Sequence, residues 1–264
     1  MIRFEETAVR YAGAERDALG GVSFEAPAGK LTAIAGPNGS GKTSCVRALL
    51  GRAPLVRGRV CVGHDDRAHM DARAFARRVA VVTQREEPAF PLAVREYVAL
   101  GRHPHQTPWR SDAARDASAV SSALARAGIE ALADRTTDTL SGGEWQRARV
   151  ARALAQEGEA LVLDEPSAFL DVAHEMALFE LLAGIAASGH VVLMVSHQLN
   201  LVARFADRLV LLDQGRVAAD GPPAEVMDGP TLERVYNWPL VVTRDPAVGA
   251  PTLVPLRKRA GGPR

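Results

Sequence analysis

The chain has 264 residues, of which 47% are hydrophobic and 24% charged, a composition ordinary for a globular protein with one large or two modest domains. The formal net charge is +1, and basic residues are spread along the chain, which argues against a nucleic-acid partner. The start lacks an apolar signal-peptide core, and no window of about 18 uncharged apolar residues occurs. We therefore expect a cytosolic chain that does not itself span a membrane.

Strands and helices alternate along most of the chain. Apolar runs or alternation predict strands in "IRFEETAVRY", "GVSFEAPAG", "KLTAIAG", "GRVCVG", "RVAVVTQ", "EALVLDEP", "GHVVLMVSH" and "DRLVLLDQG". A helix is predicted in "GKTSCVRALLG", ending at Gly51. This order predicts an α/β fold with a mostly parallel sheet, preceded by short strands and turns.

The pattern changes to helices alone between Gln84 and Asp138. In "SDAARDASAVSSALARAG" we expect Ser111 to be the N-cap, Asp112 to lie in the first turn and Gly128 to end the helix. This segment predicts a helical insertion in the α/β core. A short helix and a Pro-rich tail follow the last predicted strand, and the pattern does not decide the structure of the tail.

The stretch "GPNGSGKT" fits the phosphate-binding pattern G-x-x-x-x-G-K-[ST] and lies between a buried strand and a helix start. Glycines allow backbone N–H groups to converge on phosphates, and the helix N-terminus adds positive potential. Lysine is scarce among the 32 basic residues, so Lys42 stands out as the cation for the outer phosphates. Thr43 offers a hydroxyl to Mg²⁺, and Ser44 a polar group near the inner phosphates. The other predicted phosphate-binding residues are Gly36, Pro37, Asn38, Gly39, Ser40 and Gly41.

Two carboxylates follow the apolar run "ALVL", at the strand edge where α/β sheets bind ligands. We expect Asp164 to hold Mg²⁺, directly or through water. Glu165 would polarise the attacking water as general base, because phosphoryl transfer requires mainly positioning and charge stabilisation. An acidic loop after a strand is common, so this interpretation depends on the phosphate-binding motif upstream.

The motifs occur in a fixed order: the P-loop, "LSGGE" at 140–144, "DEP" at 164–166 and "VSHQ" with His197. Over nearly the whole chain this order resembles the ATP-binding subunit of ATP-binding-cassette transporters. The resemblance implies that Gln84 links the γ-phosphate and Mg²⁺ site to the helical insertion. It also implies that His197 contacts the γ-phosphate in hydrolysis and that Tyr11 stacks on adenine. For Tyr11, ordinary packing at a strand end is the competing interpretation.

The resemblance further implies a P-loop NTPase core with a RecA-like, mostly parallel sheet, an N-terminal antiparallel β subdomain and an inserted helical subdomain. We expect one domain, 1–264. Within it, residues 1–84 and 139–220 would form the nucleotide-binding core and its β subdomain, 85–138 the helical insertion, and 221–264 a C-terminal helix and tail.

The "LSGG" stretch reads as a second phosphate cradle. Ser141 and the N–H groups of Gly142 and Gly143 begin a helix and form an anion site, but one without a lysine or a metal ligand of its own. In the family that the chain resembles, this turn closes over the γ-phosphate held by a second copy. We therefore expect a head-to-tail homodimer around two ATP molecules, with "SAFLD" along the same interface.

The helix after the "LSGG" turn is predicted to pack inward through a small apolar stripe. The stripe is formed by Ala148, Ala151, Leu154 and Ala155. Its arginines are expected to face elsewhere, namely Arg147, Arg149 and Arg152.

The stretch "AFPLAVREYVALGRHPHQTPW" resembles the subunits that serve importers of iron–siderophore complexes, haem and vitamin B12, in which a pattern ending in G-R-x-P-H recurs. That resemblance implies a separate membrane permease, a periplasmic or extracellular binding protein, and a peripheral location on the cytoplasmic side of the inner membrane. An importer of another substrate, or a soluble ATPase of this type not coupled to transport, remains the alternative.

Overall fold

The computed structural model describes residues 1–84, 86, 90–106 and 112–257. In chain order the strands are β1 (Ile2–Val9), β2 (Leu19–Ala26), β3 (Lys30–Ala35), β4 (Leu55–Val62), β5 (Asp65–Asp66), β6 (Val79–Val82), β7 (Ala160–Asp164), β8 (Val191–Val195), β9 (Arg208–Asp213), β10 (Arg216–Gly221), β11 (Leu240–Arg244) and β12 (Pro251–Pro255).

The helices are α1 (Lys42–Leu49), α2 (Ala72–Arg78), α3 (Val94–Ala99), α4 (Ala113–Ala127), α5 (Gly142–Ala155), α6 (Val172–Ala187), α7 (Leu199–Phe205), α8 (Pro223–Val226) and α9 (Gly229–Tyr236). Short 3₁₀ helices span Arg67–His69, Leu100–His105, Glu130–Leu132 and Thr137–Thr139.

The central sheet has the strand order β10-β9-β3-β8-β7-β6, with β10 antiparallel at one edge and parallel pairing between the other neighbours. The inner strands are almost uninterrupted apolar runs because both faces of the sheet are buried, one by helices and the other by α1 together with the N-terminal strands. All five residues of β8 are buried, for example. The carboxyl ends of β3, β7 and β8 therefore meet at one edge, where the polar motifs follow.

The N-terminal strands form a second, antiparallel sheet in the order β2-β1-β4-β5. Its buried face carries Phe4 and Phe24, whose rings stack with centroids 4.5 Å apart. Together with α1 and the underside of the central sheet these residues form one of two apolar cores. The predicted fold class, with its antiparallel β subdomain and helical insertion, is confirmed.

The helical insertion packs on α5, which belongs to the central core. The predicted N-cap of its long helix α4, Ser111, lies outside the described residues. Asp112, which we expected in the first turn, is the N-cap, and its carboxylate accepts a hydrogen bond of 3.0 Å from the Arg115 N–H. The helix ends at Gly128, as predicted, because this residue adopts a φ of 66° that favours glycine.

The C-terminal tail forms an antiparallel hairpin of β11 and β12 that the sequence did not predict. The hairpin packs on α7. The Asn200 side chain of that helix bonds to both the N–H of Leu253, at 2.8 Å, and its carbonyl, at 3.3 Å. Within the described part of the chain, no helix combines the length and the apolar character needed to cross a bilayer.

Candidate nucleotide-binding site

The P-loop runs from the end of β3 to the start of α1, and its glycines are required by close backbone contacts. Gly36 has a φ of 144°, and a Cβ there would lie 2.2 Å from the Leu212 carbonyl oxygen. Gly41 caps α1 with a φ of 108°, and a Cβ there would lie 2.7 Å from Leu19 Cδ2. Neither position accepts a side chain without displacing backbone or core atoms.

Lys42 places a cation in the middle of this loop. Its Nζ donates hydrogen bonds to the carbonyl oxygens of Gly36, at 2.8 Å, and Pro37, at 2.9 Å. Only 8% of the residue is exposed. Burial lowers the pKa of the Lys42 ammonium, and the nearby carboxylates of Glu165 and Asp164 oppose that shift. A partly desolvated ammonium of this kind interacts strongly with an anion that enters the loop.

A cavity of about 450 Å³ lies over the P-loop and is lined by six of the nine predicted phosphate-binding residues of that loop, together with Gln84, Asp164 and Glu165. It is lined by Ala18, Asn38, Gly39, Gly41, Lys42, Thr43, Ser44, Gln84, Asp164 and Glu165. Gly36, Pro37 and Ser40 do not line the cavity. The Ser40 carbonyl accepts a hydrogen bond of 3.0 Å from the Gly215 N–H, which ties the loop to the turn after β9.

Asp164 ends β7 at the floor of this cavity. Burial raises the pKa of its carboxyl group, the neighbouring Glu165 raises it further, and Arg47 and Lys42 lower it. Arg47 is a basic residue of α1 that sequence reasoning did not single out. A half-buried carboxylate that is costly to leave ionised favours a cation as partner.

Glu165 and His197 are in contact although 32 residues separate them. His197 Nδ1 and Glu165 Oε2 form a hydrogen bond. The Glu165 N–H donates to the Val195 carbonyl oxygen at 3.0 Å, so its backbone is fixed to β8, with a φ of 49°. The imidazole is 59% exposed and the carboxylate 17%. The pair therefore has one buried, oriented acceptor and one accessible ring.

Tyr11 lies at the rim of the site. Its hydroxyl donates a hydrogen bond of 3.3 Å to Ser44 Oγ, and its ring packs at the edge of the N-terminal core. Tyr11 is not among the residues that line the cavity. The predicted stacking on adenine stays a prediction.

Ser141 is the N-cap of α5, and the turn around it is exposed. The Glu144 N–H donates to Ser141 Oγ at 3.3 Å, and the Ser141 N–H donates to Glu144 Oε2 at 2.8 Å. This reciprocal capping box gives Glu144 a structural role in the turn. The turn contributes no residue to the cavity lining.

Gly143 is the position where α5 meets α6. A Cβ at Gly143 would lie 1.9 Å from His174 Cδ2, whereas one at Gly142 would find only Leu170 Cδ2, at 3.9 Å. His174 is itself held by Asp171, whose Oδ1 lies 2.8 Å from His174 Nδ1. The second glycine thus permits helix contact, and the first leaves space above the helix terminus.

Sequence reasoning missed Tyr236 in α9. Burial raises the pKa of its hydroxyl to about 12, and a hydrogen bond from the backbone N–H of Gly36 acts in the opposite direction. The C-terminal helix therefore touches the first residue of the P-loop. A lone aromatic residue in a short helix gives no pattern that could have indicated this contact.

The chain is similar to known proteins over most of its length. The ABC transporter family model matches residues 19–168. The chain is 41% identical to the hemin import ATP-binding protein HmuV of Nocardia farcinica (strain IFM 10152), over 93% of this chain and 84% of that protein. It is 38% identical to the ferric enterobactin transport ATP-binding protein FepC of Escherichia coli (strain K12), over 90% of this chain and 89% of that protein.

One solved structure similar to this fold is an inward-facing ABC transporter described as of the metal-chelate type. It superposes with a TM-score of 0.84 and 25% identity, covering 97% of this chain and 98% of that one. The family model spans more than half of the chain, and the relatives match almost all of it. The chain therefore belongs to the ABC transporter family, as one of its ATP-hydrolysing cassettes.

Proposed function

We propose that this cassette powers the import of a metal chelate, an iron–siderophore complex, haem or cobalamin, through a separate membrane permease. The observation that carries the proposal is the similarity, across nine tenths of the chain, to proteins named for hemin import and ferric enterobactin transport. The G-R-x-P-H segment supports it. There Gly101 allows close packing on α5, and Arg102 bonds to the Ala155 carbonyl oxygen at 2.6 Å.

In the proposed reaction Lys42 binds the outer phosphates of ATP. Glu165 accepts a proton from the attacking water, and its hydrogen bond to His197 keeps the carboxylate oriented. His197, with its exposed ring, contacts the γ-phosphate. Gln84 lines the same cavity and orients the water from the opposite wall. Asn38, Gly39 and Gly41, which line the cavity, contribute backbone N–H groups to the phosphates, and Tyr11 packs on the base.

The oxygen donors around the cavity fit Mg²⁺. Thr43 supplies a hydroxyl, Gln84 an amide oxygen, and Asp164 a carboxylate whose raised pKa indicates that its charge lacks compensation. These three residues would hold the ion, with phosphate oxygens and water completing its shell. When bound, Mg²⁺ neutralises charge on the β- and γ-phosphates. The chain's own residues position the water and move the proton.

We further infer a head-to-tail homodimer, since cassettes of this family dimerise. The Ser141 turn has no lysine or metal ligand of its own, and in the dimer it would cover the P-loop cavity of the other copy, so each half supplies what the other lacks. The segment 167–171 lies beside that turn through the contact of Leu170 with Gly142. Its Phe169 is 87% exposed, which suits a residue that a partner covers.

The permease and a periplasmic or extracellular binding protein complete the proposed system. The cassette would sit peripherally on the cytoplasmic side of the inner membrane. The predicted division into core (1–84 and 139–220), helical insertion (85–138) and C-terminal part (221–264) belongs to this proposal, with the insertion as the part that faces the permease.

The hydrolysis and dimer parts are tested with Glu165→Gln. We expect ATP binding to persist, turnover to fall by about 10²–10⁴-fold, and a dimer to appear on size exclusion with Mg-ATP. Glu180→Gln, on the exposed face of α6, is the matched control and should behave as wild type. A Glu165→Gln protein that stays monomeric with ATP, or keeps full turnover, overturns the proposal.

The chelate class is tested by growth of the source organism without this gene. Ferric siderophore and haem are supplied separately as iron sources, and cobalamin in a cobalamin-dependent background. We expect growth to fail on one of the three and to return with the wild-type gene but not with Lys42→Ala. Equal growth on all three would show that the cassette serves another substrate.

A further inference from the structure

The segment that carries Gln84 is fastened to α5 by the side chain and backbone of Glu86. Both Arg152 guanidinium NH₂ groups reach the Glu86 carboxylate, with Nη1 bonded to Oε1 and Nη2 lying 3.0 Å from Oε2. The Tyr97 hydroxyl donates to Oε1 at 2.8 Å, and Trp145 Nε1 donates to the Glu86 carbonyl oxygen at 3.0 Å. Such a forked ion pair fixes orientation as well as distance.

Arg149 bonds to Thr83, the residue that precedes Gln84. Its Nη2 donates to the Thr83 carbonyl oxygen, and its Nε lies 3.6 Å from Glu86 Oε2. The same guanidinium donates to Gln146 Oε1 at 2.7 Å, and the residue is only 4% exposed. Residues 83 and 86 are thus both bonded to one helix, with Gln84 between them. We name Thr83, Glu86, Tyr97, Trp145, Arg149 and Arg152 the Glu86 clamp.

The clamp residues of α5 occupy one helical face. Trp145, Arg149 and Arg152 follow the spacing i, i+4, i+7, and the helix begins at the Ser141 cap. A helix of 14 residues with a capped start behaves as a rod over this distance. The clamp contacts on α5 and the Ser141 turn therefore lie on one continuous helix.

Stability alone does not account for the clamp. Buried ion pairs can often be replaced by apolar side chains without loss of stability, whereas removal of one partner leaves uncompensated charge. The clamp therefore holds the segment in one defined arrangement on α5. In the head-to-tail dimer the two ends of this connection serve different nucleotides, since Gln84 faces the chain's own ATP and Ser141 the partner's.

We propose that Glu86 is a positioning residue that couples the two ATP sites of the dimer. The γ-phosphate in a chain's own site moves Gln84, and the Glu86 clamp passes that movement along α5 to the Ser141 turn in the partner's site. This inference rests on the proposed function. It predicts that hydrolysis is cooperative in ATP and that the cooperativity depends on the carboxylate charge of Glu86.

The test compares hydrolysis rate against ATP concentration for wild type and Glu86→Gln. We expect a wild-type Hill coefficient clearly above 1 and a Glu86→Gln value near 1, with unchanged ATP affinity of the monomer. Glu157→Gln is the matched control, because it breaks the 2.8 Å ion pair of Glu157 with Arg102 beside the other end of α5. It should keep the wild-type Hill coefficient.

Thermal unfolding shows whether each variant is folded. If Glu86→Gln does not fold, Tyr97→Phe removes one hydroxyl from the clamp without changing charge, and its Hill coefficient should fall between those of wild type and an uncoupled enzyme. A wild type with a Hill coefficient of 1, or a folded clamp variant with full cooperativity, overturns the inference. An ATP-bound Glu165→Gln dimer under the same conditions shows that only the coupling, and not the proposed function, has failed.

Discussion

The two phosphate-binding regions of the chain are built differently. The P-loop is closely packed on the turn after β9, has a nearly buried lysine and forms a cavity with two carboxylates. The Ser141 turn is exposed and lines no part of that cavity. It is stabilised by its own capping box, by α6 and by Arg135, which bonds to Glu144 and to the Thr139 carbonyl oxygen. We expect the first region to bind a nucleotide by itself. The second can contribute only when a nucleotide is brought to it.

The largest loss of ATP hydrolysis should come from a substitution in the P-loop. Lys42→Ala removes the cation at the centre of the P-loop, and we expect ATP hydrolysis to fall by at least about 10³-fold. Lys30→Ala is a matched control because Lys30 is exposed and makes only a surface ion pair with Asp207, at 3.0 Å. The rate of phosphate release measures ATP hydrolysis by both variants. Equal activity of Lys42→Ala and Lys30→Ala would contradict the P-loop assignment.

A substitution in the exposed Ser141 turn should reduce ATP hydrolysis without changing nucleotide binding to the monomer. Ser141→Arg places a bulky side chain where the partner's nucleotide is proposed to lie, and we expect turnover to fall by about 10²–10³-fold. Binding of a fluorescent ATP analogue to the monomer should not change, because Ser141 is not among the residues that line the cavity. Loss of monomer binding would show that the two regions are not independent.

Alanine substitutions at Gly142 and Gly143 should have different effects on stability and on hydrolysis. Gly143→Ala forces a Cβ against His174, and we expect it to lower the free energy of unfolding by about 1–3 kcal/mol. Gly142→Ala has room in the monomer, so it should keep the wild-type melting temperature but lose hydrolysis. Gly184→Ala, in open space on α6, should stabilise slightly and serves as control. Denaturant unfolding with equal losses for Gly142→Ala and Gly143→Ala would contradict this distinction.

The smallest predicted change is in thermal stability, and it comes from substitution of Asp164. Because its pKa is raised on folding, the folded state favours the protonated form, and ionisation at neutral pH costs stability. Asp164→Asn should therefore raise the melting temperature at neutral pH while abolishing hydrolysis. The gain should shrink as the pH falls through the folded-state pKa, since the wild-type carboxyl group is then protonated too. A lower melting temperature for Asp164→Asn without nucleotide would show that the charge is compensated.

Local patterns were sufficient to predict the P-loop half. A buried strand, a glycine turn and a helix start are adjacent in the chain, so Gly36 to Ser44 could be placed without tertiary information. Spacing alone could not predict the contact of Glu165 with His197, because parallel strands bring distant residues to one edge. Glu165 was predicted from the carboxylates that follow an apolar strand, and His197 only from the order of the motifs. The tail hairpin was missed because its prolines obscure strand periodicity.

The Glu86 clamp shows another limit. The arginines of α5 were expected to face away from the apolar stripe, and Arg149 is nevertheless almost fully buried against Gln146 and Glu86. Amphipathic patterns treat charged residues as solvent-facing, so they cannot show a charged residue buried with its partner. The partner here comes from a segment without periodicity of its own. Only the tertiary structure brings them together.

The most direct measurement is a structure of the Glu165→Gln protein with Mg-ATP. We predict a head-to-tail dimer in which Ser141 Oγ of each copy lies within about 3.2 Å of a γ-phosphate oxygen bound to the other copy's P-loop. A closed, ATP-bound assembly with the Ser141 turn facing solvent would contradict the account.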